Sequence, residues 1–510
     1  MSGAIVDLSR APQGDLTVEC CVVGSGAGGA TAAWELTRAG HEVLVVEEGG
    51  DYTGFQLTGR DGAMYDQLYM ERGGRATSDL AITILQGRVL GGGPVINAAD
   101  VVPMPASVAR HWQTKFGLAD FSPEALAPFE AAALADLSAN VPEEKQINAN
   151  NAALREGAQQ LGLRHEIMMH DRVGCIGTGT CLIGCPINSK RNTRFVAIPA
   201  ALDAGARFFL RARVTRIEEA GAEVKKLTLR TLDAKGYREE RTLTVRAKIV
   251  VLAANAVASA QLLLRSGVGN AHVGKNLMLQ PQLPVTAFFD REIRFFRGIP
   301  QAAAVTEYER LDDPEHGFWG FRIEAIAGTP GIVASLLPKL GLPGKEVMSR
   351  YAHMAAALLL VPDGPNGVVR VDRAGNPLVD YAMPDEQKQR YRDAIKAAAR
   401  VYFAAGARSV QVPYARPLLL TSERELDRVD AIGFEPATAP FLSAHQQGGI
   451  RFAPSPKDGG ASPEGLVYGT RDVFVLDSSG FPSSASSHTM APIMTVSRML
   501  ARRIAARKGG

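Results

Sequence analysis

Residues 18 to 48, VECCVVGSGAGGATAAWELTRAGHEVLVVEE, constrain the fold more than any other stretch, because they read as strand, glycine-rich turn, helix and second strand in unbroken succession. Gly24, Gly26 and Gly29 take the Gly-x-Gly-x-x-Gly spacing. In that spacing the first glycine makes a tight turn, the second lets backbone approach a pyrophosphate, and the third lets the helix pack on its strand. The phosphates then face the helix N-terminus. Ala33 and Gly40 follow where a small residue and a helix-ending glycine are wanted. The apolar run Val43 to Val46 ends at Glu47, whose carboxylate can accept hydrogen bonds from ribose hydroxyls. These residues predict a Rossmann-like dinucleotide site.

A chain of 510 residues is long enough for one large or two interleaved domains. The net charge of +3 is spread without a basic stripe, which argues against a nucleic-acid partner and makes membrane contact a minor expectation. The opening MSGAIVDLSRAPQGD lacks a basic and an apolar signal region, and no apolar run is long enough to span a bilayer, so a cytoplasmic enzyme is expected.

Along the chain, 51 to 84 show little periodicity and predict irregular covering chain. Gly91, Gly92 and Gly93, followed by Asn97 in LQGRVLGGGPVINAADVVPMP, predict backbone pressed against something flat or charged. Helical spacing runs through 122 to 163. From Arg207 to Ala253 the pattern is β-rich, with a hairpin around Ala234, Lys235 and Gly236. Its last strand, KIVVLAA, is apolar on both faces as in a buried parallel sheet, and leads through Asn255 into a helix closed by Gly267. Residues 281 to 440 differ, with a hairpin signal in VVRVDRAGNPLVDYAMP and a helix stopped at Gly406, which predicts a domain built on an antiparallel sheet with helices. Within it, the apolar segment Ile326 to Pro343 reads first as a buried loop, with an apolar substrate entrance or a membrane-touching lip as the alternative. The last seventy or so residues return to the nucleotide fold through the strand of DVFVLDSSGFPSS and a C-terminal helix. The fold class is therefore α/β, α+β overall. A discontinuous nucleotide domain (17–105, 190–280 and 440–510) is interleaved with a substrate domain (106–189 and 281–439).

GSGAGG with Glu47, LGGGPVIN, KIVVLAANAVASAQLLLRSG, SAHQQGG and VYGTRDVFVLDSSGFPSSASSHTMAPIM, in that order, resemble the glucose-methanol-choline (GMC) oxidoreductases. LGGGPVIN is closest to the cholesterol oxidase version of its motif, and Cys175 to Lys190 resembles a block of long-chain alcohol oxidases and dehydrogenases. The resemblance implies FAD rather than NAD. It carries Gly24, Gly26 and Gly29 to the pyrophosphate, Glu47 to the adenosine ribose, and Gly91, Gly92 and Asn97 to the flavin. It further carries the Val214 backbone to the adenine, Asp477 to the ribityl and pyrophosphate region, and His445 and His488 to the active-site pair. The family position of His488 is commonly Asn and sometimes His. Three departures stand out: Gly93 where Ser is usual, Asn255 where Gly is usual, and Arg451, Phe452, Ala453 where Arg-Met-Gly is expected.

An alcohol gives up hydride only as a base takes its O–H proton, and an imidazole is suited to that. The expected activity is oxidation of an apolar or bulky alcohol to a carbonyl, with a histidine as base, hydride passing to flavin N5, and oxygen or another acceptor regenerating the enzyme. A lyase or decarboxylase of the same fold, and a flavin protein working in electron transfer without catalysis, are the alternatives. Cys175, Cys181 and Cys185, downstream of His165 and His170, could hold an iron–sulfur cluster or zinc. Their C-x5-C-x3-C spacing meets no common metal pattern, so reduced thiols and no metal are expected.

Overall fold

The computed structural model describes residues 3–219, 223–337, 341–415 and 417–507. Strand Leu16–Val23 carries Cys20, Cys21 and Val22 fully buried, so both its faces need cover. Helix Ala27–Arg38 follows directly and supplies part of that cover, and strand Val43–Val46 then pairs in parallel with the first, Cys20 opposite Val43. Outward on one side the parallel array continues through Arg207–Leu210 to Ala4–Asp7. On the other side lies Glu239–Leu252, with Cys21 opposite Val250. Val473–Val475 adds in parallel to the end of Glu239–Leu252, so the last part of the chain re-enters the nucleotide sheet. The hairpin Lys225–Leu232 and the strand Ala212–Glu218 extend the sheet antiparallel.

The second sheet runs Leu418–Leu420, Ser409–Val412, Gln282–Phe288, Met354–Leu360, Arg322–Ala325, Ala303–Val305, His165–Ile167, antiparallel throughout. Helices Ala149–Gln160 and Asp385–Ala404 pack against it and each other. Phe441–Ser443 also belongs to this second sheet, pairing antiparallel with Gln282–Phe288 and in parallel with Ile82–Ile84. Stretches 17–105 and 440–510 thus each lend one strand to the second sheet, and His445 emerges two residues beyond Phe441–Ser443.

Two expectations need correction. The stretch 51–84 is not irregular: it holds helix Asp61–Leu68, whose buried Met64 and Leu68 pack with Val89 and Ile96 on either side of the Gly91–Gly93 run. The segment beginning at Ile326 is a buried loop only through Gly328. Residues Pro330–Leu336 form a helix with no buried residue, pinned by hydrogen bonds from Thr329 Oγ1 and Gly331 N to Asp61. Pro338, Lys339 and Leu340 lie outside the described residues.

Candidate active site

Two glycine turns meet edge to edge at the centre of the molecule. Gly92, at φ 61°, lies so close to Gly26 that a Cβ on it would fall 2.6 Å from the Gly26 Cα. Gly29 serves the helix–strand contact, where a Cβ would fall 2.0 Å from the Gly24 carbonyl oxygen. Gly29 and Gly91 therefore shape the turns from behind, whereas Gly24, Gly26, Gly28 and Gly92 line a cavity of about 1350 Å³. That volume exceeds the roughly 300 to 1,000 Å³ of ordinary ligand pockets, which suits a dinucleotide together with a substrate.

Glu47 and Val214 both line the cavity. The buried Glu47 carboxylate accepts hydrogen bonds from Ser25 N (3.1 Å), Ser25 Oγ (2.6 Å) and Gly49 N (2.7 Å), which tie the first turn to the end of the second strand. At Val214 the pairing register slips before Arg216, a local bulge in the strand. Asp477 also lines the cavity, accepting from Asn255 N (3.0 Å), Ser259 Oγ (2.7 Å) and Ser479 N (2.8 Å). Asn255 takes φ 81°, which explains why a glycine can occupy this position, and its side chain caps helix Ala256–Ser266 through Val257 N and Ala258 N. Asn97 closes the short turn after Gly93 and faces the same cavity. Phe452, at the third departure from the family pattern, is fully buried with the tip of its ring against Gly480, where a Cβ would fall 2.1 Å from its Cζ.

In the same cavity wall the rings of His445 and His488 lie 5.0 Å apart between centroids, inclined at 64°. His445 Nδ1 lies between two side-chain amides, 2.8 Å from Gln280 Oε1 and 2.9 Å from Gln282 Nε2. When Nδ1 donates to Gln280, Nε2 keeps its lone pair, and no described residue bonds to it. Burial pushes the His445 imidazole down to about 3, with the His488 charge adding to the effect and Glu324 opposing it.

His488 donates from Nε2 to the carboxylate of Glu324, at 2.9 and 3.1 Å. Glu324 is fully buried on strand Arg322–Ala325 and also receives Arg322 Nε and Gln301 Nε2. Burial alone would raise its carboxyl, but His488 and Arg322 outweigh this and hold it at about 2. The ionised Glu324, aided by Asp100, in turn raises His488 against the downward pull of burial.

Glu324, Gln280, Gln282 and Asp100 were not anticipated from sequence. A signal for Glu324 did exist: Arg322 and Glu324 alternate within the apolar run FWGFRIEAIA, where a buried strand can carry charges only as a pair.

In the cysteine block, Cys175 Sγ accepts from Gly177 N at 3.4 Å and Cys185 Sγ from Ser189 N at 3.3 Å. His170 is bound to Asn140 and Arg172, and His165 to the Leu163 carbonyl. The buried Lys190 ammonium donates to the carbonyls of Val95, Asn97 and Cys181, so the block braces the loop beneath Asn97.

The chain matches two models described as GMC oxidoreductase, over residues 65–282 and 364–497, and a Rossmann-like NAD(P)-binding model over 22–79. It is 32% identical over 502 residues to an uncharacterised GMC-type oxidoreductase of Mycobacterium tuberculosis, covering 96% of this chain and 76% of that one. It is 27% identical to a long-chain-alcohol oxidase of Arabidopsis thaliana over 95% of this chain and 67% of the relative. The fold is shared with pyridoxine 4-oxidase of Mesorbium loti, at a TM-score of 0.73 and 17% identity, covering 95% of this chain and 99% of that chain. It is likewise shared with a formate oxidase, at a TM-score of 0.72 and 15% identity over 98% and 99%. With the glycine turns, the Rossmann-like sheet and the cavity in this arrangement, the chain belongs to the GMC oxidoreductases, an FAD-dependent family of enzymes that act on CH–OH groups.

Proposed function

We propose that the chain oxidises an apolar or bulky alcohol to the carbonyl, with His445 as proton acceptor and His488 as the group that orients the hydroxyl. The observation carrying this reading is the imidazole pair in the cavity wall, one ring kept neutral with an unengaged Nε2, the other bound to a permanent carboxylate. Glu47, Val214, Gly26, Gly92, Asn97 and Asp477 would hold FAD along the rest of the cavity. Bound FAD supplies, at N5, the acceptor for the hydride of the carbinol carbon.

The chain's own residues handle the proton. His445 is unprotonated across the neutral range and can receive it at Nε2. His488, raised by Glu324, donates a hydrogen bond that lowers the pKa of the alcohol. The aperture supports an apolar substrate, because Phe295, Ile332, Val333, Leu336 and Val347 line the cavity on the side of helix Pro330–Leu336. The long-chain-alcohol oxidases among the relatives agree with this choice of substrate class. Oxygen or another acceptor would complete the cycle.

Anaerobic mixing with aliphatic, aromatic, sterol and sugar alcohols tests the reading. The flavin absorption is expected to bleach with the apolar alcohols and to stay with the sugars. A flavin that no alcohol bleaches overturns it.

A further inference from the structure

Strand Gln282–Phe288 forms part of the cavity wall and turns every second side chain into it. Gln282, Pro284 and Thr286 line the cavity, whereas Leu283, Val285 and Ala287 are buried in the core behind. Gln282 marks the reaction centre, because its amide nitrogen lies 2.9 Å from His445 Nδ1. Thr286 stands four residues further along the same face. Directly opposite it on the neighbouring strand is Gln411, which also lines the cavity while Val410 and Val412 on either side are buried in the core. The wall around this pair is apolar, with Pro284, Met354, Leu358 and Phe441. Gln411 is only 8% exposed, yet neither its carboxamide nor the Thr286 hydroxyl has a hydrogen-bond partner among the described residues. Their polar atoms are not sealed in the interior but keep accessible surface.

We propose that Thr286 and Gln411 form a second recognition point for the substrate, which is then an apolar alcohol carrying a further neutral polar group, a hydroxyl or a carbonyl, remote from its carbinol. The inference rests on the alcohol-oxidising reading and narrows its substrate class. Four residues of strand span about 13 Å, so the two polar groups of the substrate stand roughly ten C–C bonds apart in an extended chain, or at the two ends of a rigid polycyclic skeleton. The threonine hydroxyl donates and accepts, and the carboxamide does both through separate atoms, so a remote hydroxyl finds donor and acceptor together and a remote carbonyl finds two donors. Neither side chain carries a charge, which disfavours a carboxylate at this point.

An alcohol with a plain hydrocarbon tail covers the pair without bonding it and leaves buried polar groups unpaired, whereas a bifunctional alcohol engages them. The contact lies far from the bond that breaks and is the same before and during hydride transfer. It therefore strengthens binding and leaves the limiting rate of flavin reduction alone.

Anaerobic flavin reduction of the holoenzyme by α,ω-diols of six to fourteen carbons, each beside the 1-alkanol of equal length, tests this. The half-saturating concentration should be about tenfold lower for the diol than for its alkanol near ten carbons, with no advantage at six. Thr286→Val and Gln411→Met, each close in size to the residue replaced, should erase the advantage. The readout is a ratio of two ligands on one protein, which a general loss of folding or of flavin moves alike for both. A wild type without a diol advantage at any length, or an advantage that survives both substitutions, overturns the inference. Calorimetric titration of the holoenzyme with dodecan-2-one and dodecane-2,11-dione, neither of which has a hydroxyl to oxidise, makes the same comparison without turnover. If no alcohol reduces the flavin, the alcohol-oxidising reading fails, and the ketones still decide the subsite: equal binding overturns it, and tighter binding of the dione that is lost in Gln411→Met sustains it.

Discussion

Two imidazoles 5.0 Å apart are pushed in opposite directions, His445 down by burial and His488 up by Glu324 against its burial. Two adjacent rings in identical surroundings would both lose the charged form. Here the asymmetry comes from one carboxylate, and it divides acceptor from donor. His445→Ala should slow anaerobic flavin reduction by about 10² or more, whereas His488→Asn keeps a hydrogen-bonding group and should retain much of the rate. Stopped-flow reduction that falls further in His488→Asn reverses the two roles. The glycines make a second contrast at this scale. Gly92→Ala forces a Cβ against Gly26 at 2.6 Å and should yield protein that loses FAD on dilution, while nothing lies within 4 Å of a Cβ on Gly93. Gly93 lines the cavity itself but stands where Ser is usual in the family, so Gly93→Ala should remain yellow through the same dilution.

Strand Arg322–Ala325 shows what was legible in the sequence and what was not. The nucleotide elements declare themselves locally, because turn, helix and strand lie within thirty or so consecutive residues whose spacing alone implies the site. The partners of the histidines come from strands that approach only after folding: Gln280 and Gln282 stand more than 160 residues before His445, and Glu324 is 164 residues before His488. Helix Pro330–Leu336 misled for another reason. Apolar composition alone does not distinguish a residue buried in a core from one lining a cavity, and its glycine and prolines suggested a loop. The strand also carries a pH prediction. Glu324 folds at about 2 against roughly 4.3 unfolded, so its stabilisation is complete above the unfolded value and is lost as pH falls through about 2. Two to three units correspond to about 3 kcal/mol. Chemical denaturation from pH 6 to 2 should show acid destabilisation, and Glu324→Gln should flatten that part of the slope.

At the scale of the whole molecule, the nucleotide segments lend strands Ile82–Ile84 and Phe441–Ser443 to the second sheet, and the nucleotide sheet is completed only by Val473–Val475 and capped by helix Met490–Ala506. That helix is tied back to the first one, with Ser497 Oγ donating to the Gly28 carbonyl at 2.8 Å and the buried Arg498 paired with Glu35 at 2.9 Å. The FAD cavity therefore lies among segments drawn from both ends and the middle of the chain. A ligand that binds only this assembled form stabilises it by mass action, about 2.7 kcal/mol at a free concentration a hundredfold above Kd. Removing FAD should lower the melting temperature by several degrees, and returning FAD, but not NAD, should restore it. Glu47→Ala tests the ribose contact proposed for that carboxylate. The carboxylate already binds Ser25 and Gly49, so the variant weakens the turn in the apoprotein as well, and the loss of melting temperature by itself says nothing about FAD. The difference between holo and apo forms removes that shared term. It should shrink in Glu47→Ala by the one or two hydrogen bonds given up to the ribose, about 1 to 3 kcal/mol. A holo-minus-apo difference equal to that of the wild type places the ribose contact on another residue.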